Sequence, residues 1–174
     1  MSSLRNLFNR IKFKKNGLIK NSLISKNVVL GRKHLITGAK IAGENIFIGN
    51  YTSVADNSQI LSKFKKIEIG ERVSIGPNVL IQNYTHNLNY KITNNEALID
   101  KYSREKFIEA TASTSKDIVI MDDVWIGANC VIMPGIVIGK CAVVGANSLV
   151  NRNIGENEVW VGNPARLINK REFH

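Results

Sequence analysis

Residues 120–150 read IMDDVWIGANCVIMPGIVIGKCAVVGANSLV, and cutting the run every six residues puts Ile120, Ile126, Ile132, Ile138, Val144 and Val150 at the head of each unit. All six are β-branched aliphatics. A helical face needs apolar residues about 3.6 apart and a simple strand needs them two apart, so this period fits neither element alone. It suits a short strand followed by a tight turn. The second place of three of the six units is glycine (Gly127, Gly139, Gly145), where close backbone approach is cheap, and the fifth is often small (Cys130, Ala142, Ser148). Three units make an 18-residue coil, and Ile126-Gly-Ala-Asn129 returns at that spacing as Val144-Gly-Ala-Asn147. Fixed repeats of this kind bury a core only by stacking, here as a parallel β-helix.

Toward the N-terminus, Ile24, Leu30, Ile36, Ala42, Ile48, Val54 and Ile60 keep the period. His34 and Lys40 fall at the usually small fifth place, so the first coils are expected to be less regular. A gap of nine containing Lys63-Phe-Lys-Lys66 reads as a turn insertion, after which Ile69, Ile75 and Ile81 resume. The sixteen unit heads, at three per turn, give about five coils. The 39 residues from Ile81 to Ile120 are not a multiple of six, so Gln82–Asp117 leaves the β-helix as a long excursion rich in Asn, Thr, Ser and charge. Long loops on a rigid scaffold commonly carry chemistry. After Val150 the period decays into a tail with a turn at Asn163-Pro164 and a basic stretch from Arg166 to Arg171.

At the other end, Leu4, Leu7, Phe8 and Ile11 would share one helical face, ringed by Arg5, Arg10, Lys12, Lys14 and Lys15, with Gly17 as a stop. Such a helix either caps the open end of the β-helix or lies on an anionic membrane surface. The expected division is a basic helical cap over 1–23, a β-helix over 24–154 with its excursion at 82–117, and a tail over 155–174.

The chain of 174 residues is one domain by length, and its formal charge of +10 favours anionic partners. No recognition motif or aromatic stacking platform points to nucleic acid. Cys130 takes a small inward place and reads as a packing residue in a reducing compartment. Without a membrane-length apolar run or a signal-peptide pattern, a cytoplasmic protein is expected, with the basic helix able to meet the inner face of a membrane. His34, His86 and His174 lie far apart, so no three-ligand zinc site, and no metal, is expected. His86 is the only histidine in the excursion, and imidazole titrates close enough to neutral pH to accept a proton from an attacking hydroxyl or amine. By itself a loop histidine is more often just a solvated side chain.

The hexad run with VWIGANCVIMPGIVIG, then VGANSLV and VGNPARLI, together with Ile75-Gly-Pro-Asn-Val-Leu-Ile81 and the following NYTHNLNY, resembles the hexapeptide-repeat acyltransferases. Within them it is similar to the branch of maltose and galactoside acetyltransferases, xenobiotic acetyltransferases and polysaccharide O-acetyltransferases, over about residues 46–168. The resemblance implies an all-β fold, a left-handed parallel β-helix. It also implies a homotrimer with acetyl-coenzyme A lying in a groove between subunits. His86 would then be the general base, and the backbone N–H of Ala128 would face the developing oxyanion. Trp125 and Gly127 would line the thiol end of the groove, Ala146 the pantetheine arm, and Arg152 and Arg166 the phosphates. Trp125 reads equally as a hydrophobe filling a coil corner; for the two arginines the alternative to phosphate contact is a solvated basic face. Asp56, Asn57, Asn83 and Tyr84 are expected near the acceptor.

Some relatives orient the imidazole with a carboxylate from an N-terminal segment, but residues 1–23 contain no acid. A loop carboxylate, a backbone carbonyl or Asp56 remains for that task. The expected activity is acetyl transfer to a hydroxyl or amine of a sugar: a polysaccharide, lipopolysaccharide or nucleotide-sugar precursor. The alternatives are a xenobiotic O-acetyltransferase of the chloramphenicol or streptogramin type, and a catalytically silent scaffold.

Overall fold

A computed structural model describes residues 11–14 and 17–173. Its short strands pair in parallel, coil on coil, into three sheets that the chain visits in turn. On the first sheet the inward residues stack as Ile19, Ile36, Val54, Ile75, Ile126 and Val144. On the second they are Ile24, Ile41, Ile60, Ile81, Ile132 and Val150. On the third, Leu30, Ile48, Ile69, Ile120 and Ile138 continue to Ile154 through a single bridge. Most of these side chains are buried in one continuous core. Fully burying each contributes about 1.5–3 kcal/mol, so the period of six is the period of the core.

The corners explain the residues between strands. Asn57, Asn78, Asn129 and Asn147 stack on the corner joining the first sheet to the second, all in the left-handed backbone region at φ of 57–61°. Asparagine tolerates that region better than most side chains. The repeated Asn of the IGAN echo is therefore a turn residue. The Asn129 amide also donates to the Asn147 side-chain oxygen one coil along, at 3.1 Å.

Several expectations change. The inward residue of the second sheet is Ile41, not Ala42, and Ala39 rather than Lys40 fills the small place before it. Here an early step is one residue short, because burying the larger side chain outweighs an even period. His34 is accommodated rather than bulged out: its ring is buried, and a Cβ on Gly17 would come within 2.7 Å of it. The six strands of the second sheet and the five of the third match the unit heads that fall on them, while the first sheet gains Gly17–Lys20 at one end and Glu158–Val161 at the other, so the five coils are extended by part of a coil at each end.

The helix expected over 1–16 does not include Ile11–Lys14, which forms a strand antiparallel to Gly17–Lys20. Alternation of Ile11 and Phe13 with lysines suits that edge hairpin. Residues 1–10, with the apolar face expected of them, lie outside the described residues. At the other end, the segment expected as a tail is ordered: Val159 and Trp160 extend the first sheet in parallel, and Arg166–Lys170 folds back antiparallel on Glu158–Val161. The Trp160 indole N–H donates to the Glu158 carboxylate at 2.9 Å.

The excursion is also more ordered than a loop. It carries helix α1 (Asn95–Lys101) and helix α2 (Arg104–Thr114). Asn94 caps α1 by accepting from the Ala97 N–H, and Ser103 caps α2 by accepting from the Lys106 N–H.

Candidate active site

A regular coil returns after 18 residues, as from Asn129 to Asn147. Two departures from that length fall on the same corner, between the second and third sheets. One is the Lys63–Lys66 insertion, which spaces Ser58 and Val79 by 21 residues; the other is the excursion, which spaces Glu71 and Asp122 by 51. Asn83 joins the two. Its side-chain oxygen accepts from the Lys63 N–H at 2.9 Å, and its amide donates to the Lys65 carbonyl at 2.9 Å and the Ser62 hydroxyl at 3.2 Å. Fully buried and with its amide so occupied, Asn83 holds the base of the excursion and does not face an acceptor.

Three residues further on, His86 sits between two clamps from the end of α2. The Thr114 hydroxyl donates to the Thr85 carbonyl at 2.6 Å, and the Asn87 amide donates to the Ser113 hydroxyl at 2.9 Å. The imidazole is exposed, yet it lines a cavity of about 290 Å³ with Lys63, Tyr84, Ile92, Leu98 and Phe107. The Lys63 ammonium lies 4.7 Å from the centre of the Tyr84 ring and 5.7 Å from that of Phe107. Burial pushes the Tyr84 phenol up, which keeps it a neutral hydroxyl at ordinary pH. On its other side His86 borders an open hollow with Thr93, Asn94, Asn95 and Glu96, and Glu96 is the only acid among the described residues lining either space.

The remaining expected residues lie elsewhere on the chain. Trp125 is 56% exposed, on the outer face of the first sheet between Ser74 and Val143, and so does not fill a coil corner. Ala128 and Ala146 occupy the first-to-second corner one coil apart. Gly127 permits that stacking, because a Cβ there would meet the Ala146 nitrogen at 2.7 Å. The N–H groups of Ala128 and Ala146 donate to no protein group among the described residues, while the Ala128 carbonyl accepts from Asn147 at 2.9 Å. Asp56 and Asn57 lie lower on this corner, across the second sheet from the excursion, so Asp56 does not orient His86 within one chain. Arg166 is exposed at the start of the final strand, and Arg152 is exposed on the excursion's corner at the last coil. One chain thus gathers His86 and Tyr84 in one place, and Trp125, Gly127, Ala128 and Ala146 in another.

Among the described residues no three His, Cys, Asp or Glu side chains are gathered as a metal would need. Cys130 is buried, its thiol pushed up by desolvation and directed at the Gly145 carbonyl 3.1 Å away, which suits a packing residue. No described helix is long and apolar enough to cross a membrane. Lys63, Ile92, Leu98, Phe107 and Glu96 were not among the residues the sequence singled out. The available signal was that the Lys63–Lys66 insertion and the excursion interrupt the repeat at the same corner.

Comparison with known proteins places the fold. The family described as bacterial transferase hexapeptide (six repeats) matches residues 117–152. A hexapeptide-repeat-containing acetyltransferase from Vibrio cholerae is 30% identical, with 83% of this chain and 73% of that one covered at a TM-score of 0.66. It has also been solved in complex with acetyl-coenzyme A. A galactoside O-acetyltransferase of Lactococcus lactis is 32% identical over 139 residues, which is 78% of this chain and 59% of that protein. A putative lipopolysaccharide biosynthesis O-acetyltransferase of Escherichia coli is 33% identical over 125 residues, 72% of this chain and 60% of its own. The chain belongs to the hexapeptide-repeat acetyltransferases, and its fold is their left-handed parallel β-helix. It spans about three-fifths of the length of these two curated relatives.

Proposed function

We propose that the protein transfers an acetyl group from acetyl-coenzyme A to a hydroxyl or amine of a sugar, with His86 as general base. The observation that carries this reading is the placement of His86: clamped on both sides by α2, exposed, and at the mouth of a cavity lined by aromatic and hydrogen-bonding side chains. The names of relatives, galactoside and lipopolysaccharide O-acetyltransferases, support a sugar acceptor built into a larger glycan.

The chemistry is a simple acyl transfer. The acceptor O–H or N–H gives its proton to an imidazole nitrogen as the acceptor atom bonds to the thioester carbon. The oxyanion that forms is met by the backbone N–H of Ala128, a fixed dipole with no partner among the described residues to relinquish. Collapse breaks the C–S bond, and the imidazolium returns the proton to the leaving thiolate.

Because His86 and Ala128 lie on different corners of one chain, the reaction needs a second copy. In the proposed homotrimer the excursion of one subunit faces the outer first sheet of the next, where the exposed Trp125 lines the thiol end of the groove. Ala146 then contacts the pantetheine arm, while Arg152 and Arg166 hold the phosphates through bidentate guanidinium contacts. A cytoplasmic site of action follows from this use of acetyl-coenzyme A.

The test is release of free thiol from acetyl-coenzyme A with simple sugars, amino sugars and nucleotide sugars as acceptors. Sugar-dependent release by the wild-type protein is expected. Thiol release with chloramphenicol but with no sugar would replace this reading by a xenobiotic acetyltransferase, and coenzyme A that does not bind would leave a scaffold.

A further inference from the structure

We propose that Lys63 binds a negative charge on the acceptor, so that the preferred acceptor is a sugar bearing a carboxylate or phosphate beside the acetylated group. This rests on acetyl transfer at His86. Lys63 opens the insertion that lengthens its coil, and its backbone is fixed by the N–H···Oδ1 bond to Asn83 at 2.9 Å. Its side chain is half-buried and reaches into the cavity that His86 lines.

Among the described residues the ammonium is held by ring faces alone, Tyr84 at 4.7 Å and Phe107 at 5.7 Å. No carboxylate of a described residue lies within ion-pair reach of it, whereas Lys66 pairs with Glu68 at 2.7 Å and Lys106 with Glu109 at 2.7 Å. A partly desolvated cation is costly without an anion, and the aromatic faces offset only part of that cost. No acid among the described residues lines the cavity to repel an anionic ligand, since Glu96 borders the neighbouring hollow instead. Thr93 and Asn95 add uncharged hydrogen-bonding groups to its wall. A neutral sugar leaves the ammonium unmatched, and an anionic one completes it.

The experiment compares three acceptors on the intact protein: methyl glucuronide, glucose 1-phosphate and methyl glucoside. Wild type, Lys63→Met and Lys63→Arg are assayed for thiol release, and each sugar is followed for binding by ligand-observed NMR. Methionine keeps an apolar stem on the two rings and removes the charge; arginine restores the charge.

In wild type, one or both anionic sugars are expected to exceed the glucoside by roughly tenfold or more in kcat/KM, the scale of one charge-assisted contact. Which one does so distinguishes a sugar acid from a sugar phosphate. Lys63→Met is expected to erase that preference through acceptor KM, with KM for acetyl-coenzyme A unchanged, and Lys63→Arg to restore most of it. Equal use or equal binding of all three sugars by wild type would overturn the proposal. So would a uniform loss in Lys63→Met, or a rise in KM for acetyl-coenzyme A alone. Failure of the underlying function looks different: no thiol release with any sugar and no thermal stabilisation by coenzyme A, which removes both readings together.

Discussion

The hydroxyl of Thr114 donates to the carbonyl of Thr85 at 2.6 Å, so the last turn of α2 holds the residue immediately before His86. Bonds across 29 residues of sequence are thus used to place one imidazole. With Asn87 fixed to Ser113 on the other side, His86 has little backbone freedom although its side chain meets solvent.

Replacing Thr114 by valine keeps the shape and removes the bond. A net hydrogen bond is worth about 0.5–1.5 kcal/mol, and a looser base costs rate when its geometry relaxes. The expected result is a fall of about tenfold in kcat with a small change in melting temperature and no change in KM for acetyl-coenzyme A. Steady-state kinetics and thermal unfolding on the same samples check it, and an unchanged kcat would show that the clamp does not position His86.

Asn147 tests the reading of the IGAN echo as a turn requirement. At φ of 61°, alanine is expected to cost about 1–2 kcal/mol, while glycine relieves the strain and costs less even though both lose the contact to Asn129. Chemical denaturation of the two variants decides this. Equal losses would assign the effect to the side-chain hydrogen bond instead.

Arg72 and Asp123 stitch together the coils on either side of the excursion, with guanidinium-to-carboxylate contacts of 2.6 and 3.0 Å. Hydrogen bonding by Arg72 is the main reason that the Asp123 carboxyl is held below the usual carboxylate range. A depressed folded-state pKa stabilises the fold above the unfolded value and ceases to do so as pH falls through the folded one. Asp123→Asn should therefore melt slightly below wild type at neutral pH, with the gap unchanged down to about pH 5 and closing below about pH 4. Asparagine suits the left-handed backbone at this position, φ 61°, so the comparison isolates the charge. A gap that widened on acidification would contradict the assignment.

The β-helix was legible because its core side chains recur at one spacing, from Ile120 to Val150 without a fault. Where the spacing slips, at Ile41, the choice between neighbouring apolar residues is made by pairing with Ile60, which a local pattern does not contain. The excursion's helices escaped notice for a related reason. Only Leu98 in α1 and Ala110 and Thr111 in α2 are buried, so neither helix carries a strong apolar stripe, and Asn94 and Ser103 were the available start signals. His86 stood out by type and by its position after a hexad pair. Its surroundings did not, because Lys63 comes from the preceding coil and Phe107 and Thr114 from a helix further on. Contacts of that kind exist only once the coils have stacked.

The most direct test of the account is the rate of acetyl transfer by His86→Ala against wild type at saturating acetyl-coenzyme A and a working sugar acceptor. A general base is worth about 10²–10⁴-fold, so kcat should fall by that factor while the KM for acetyl-coenzyme A and the melting temperature stay near wild type. A variant that retains more than about a tenth of wild-type kcat would contradict His86 as the base, even if sugar acetylation itself were confirmed.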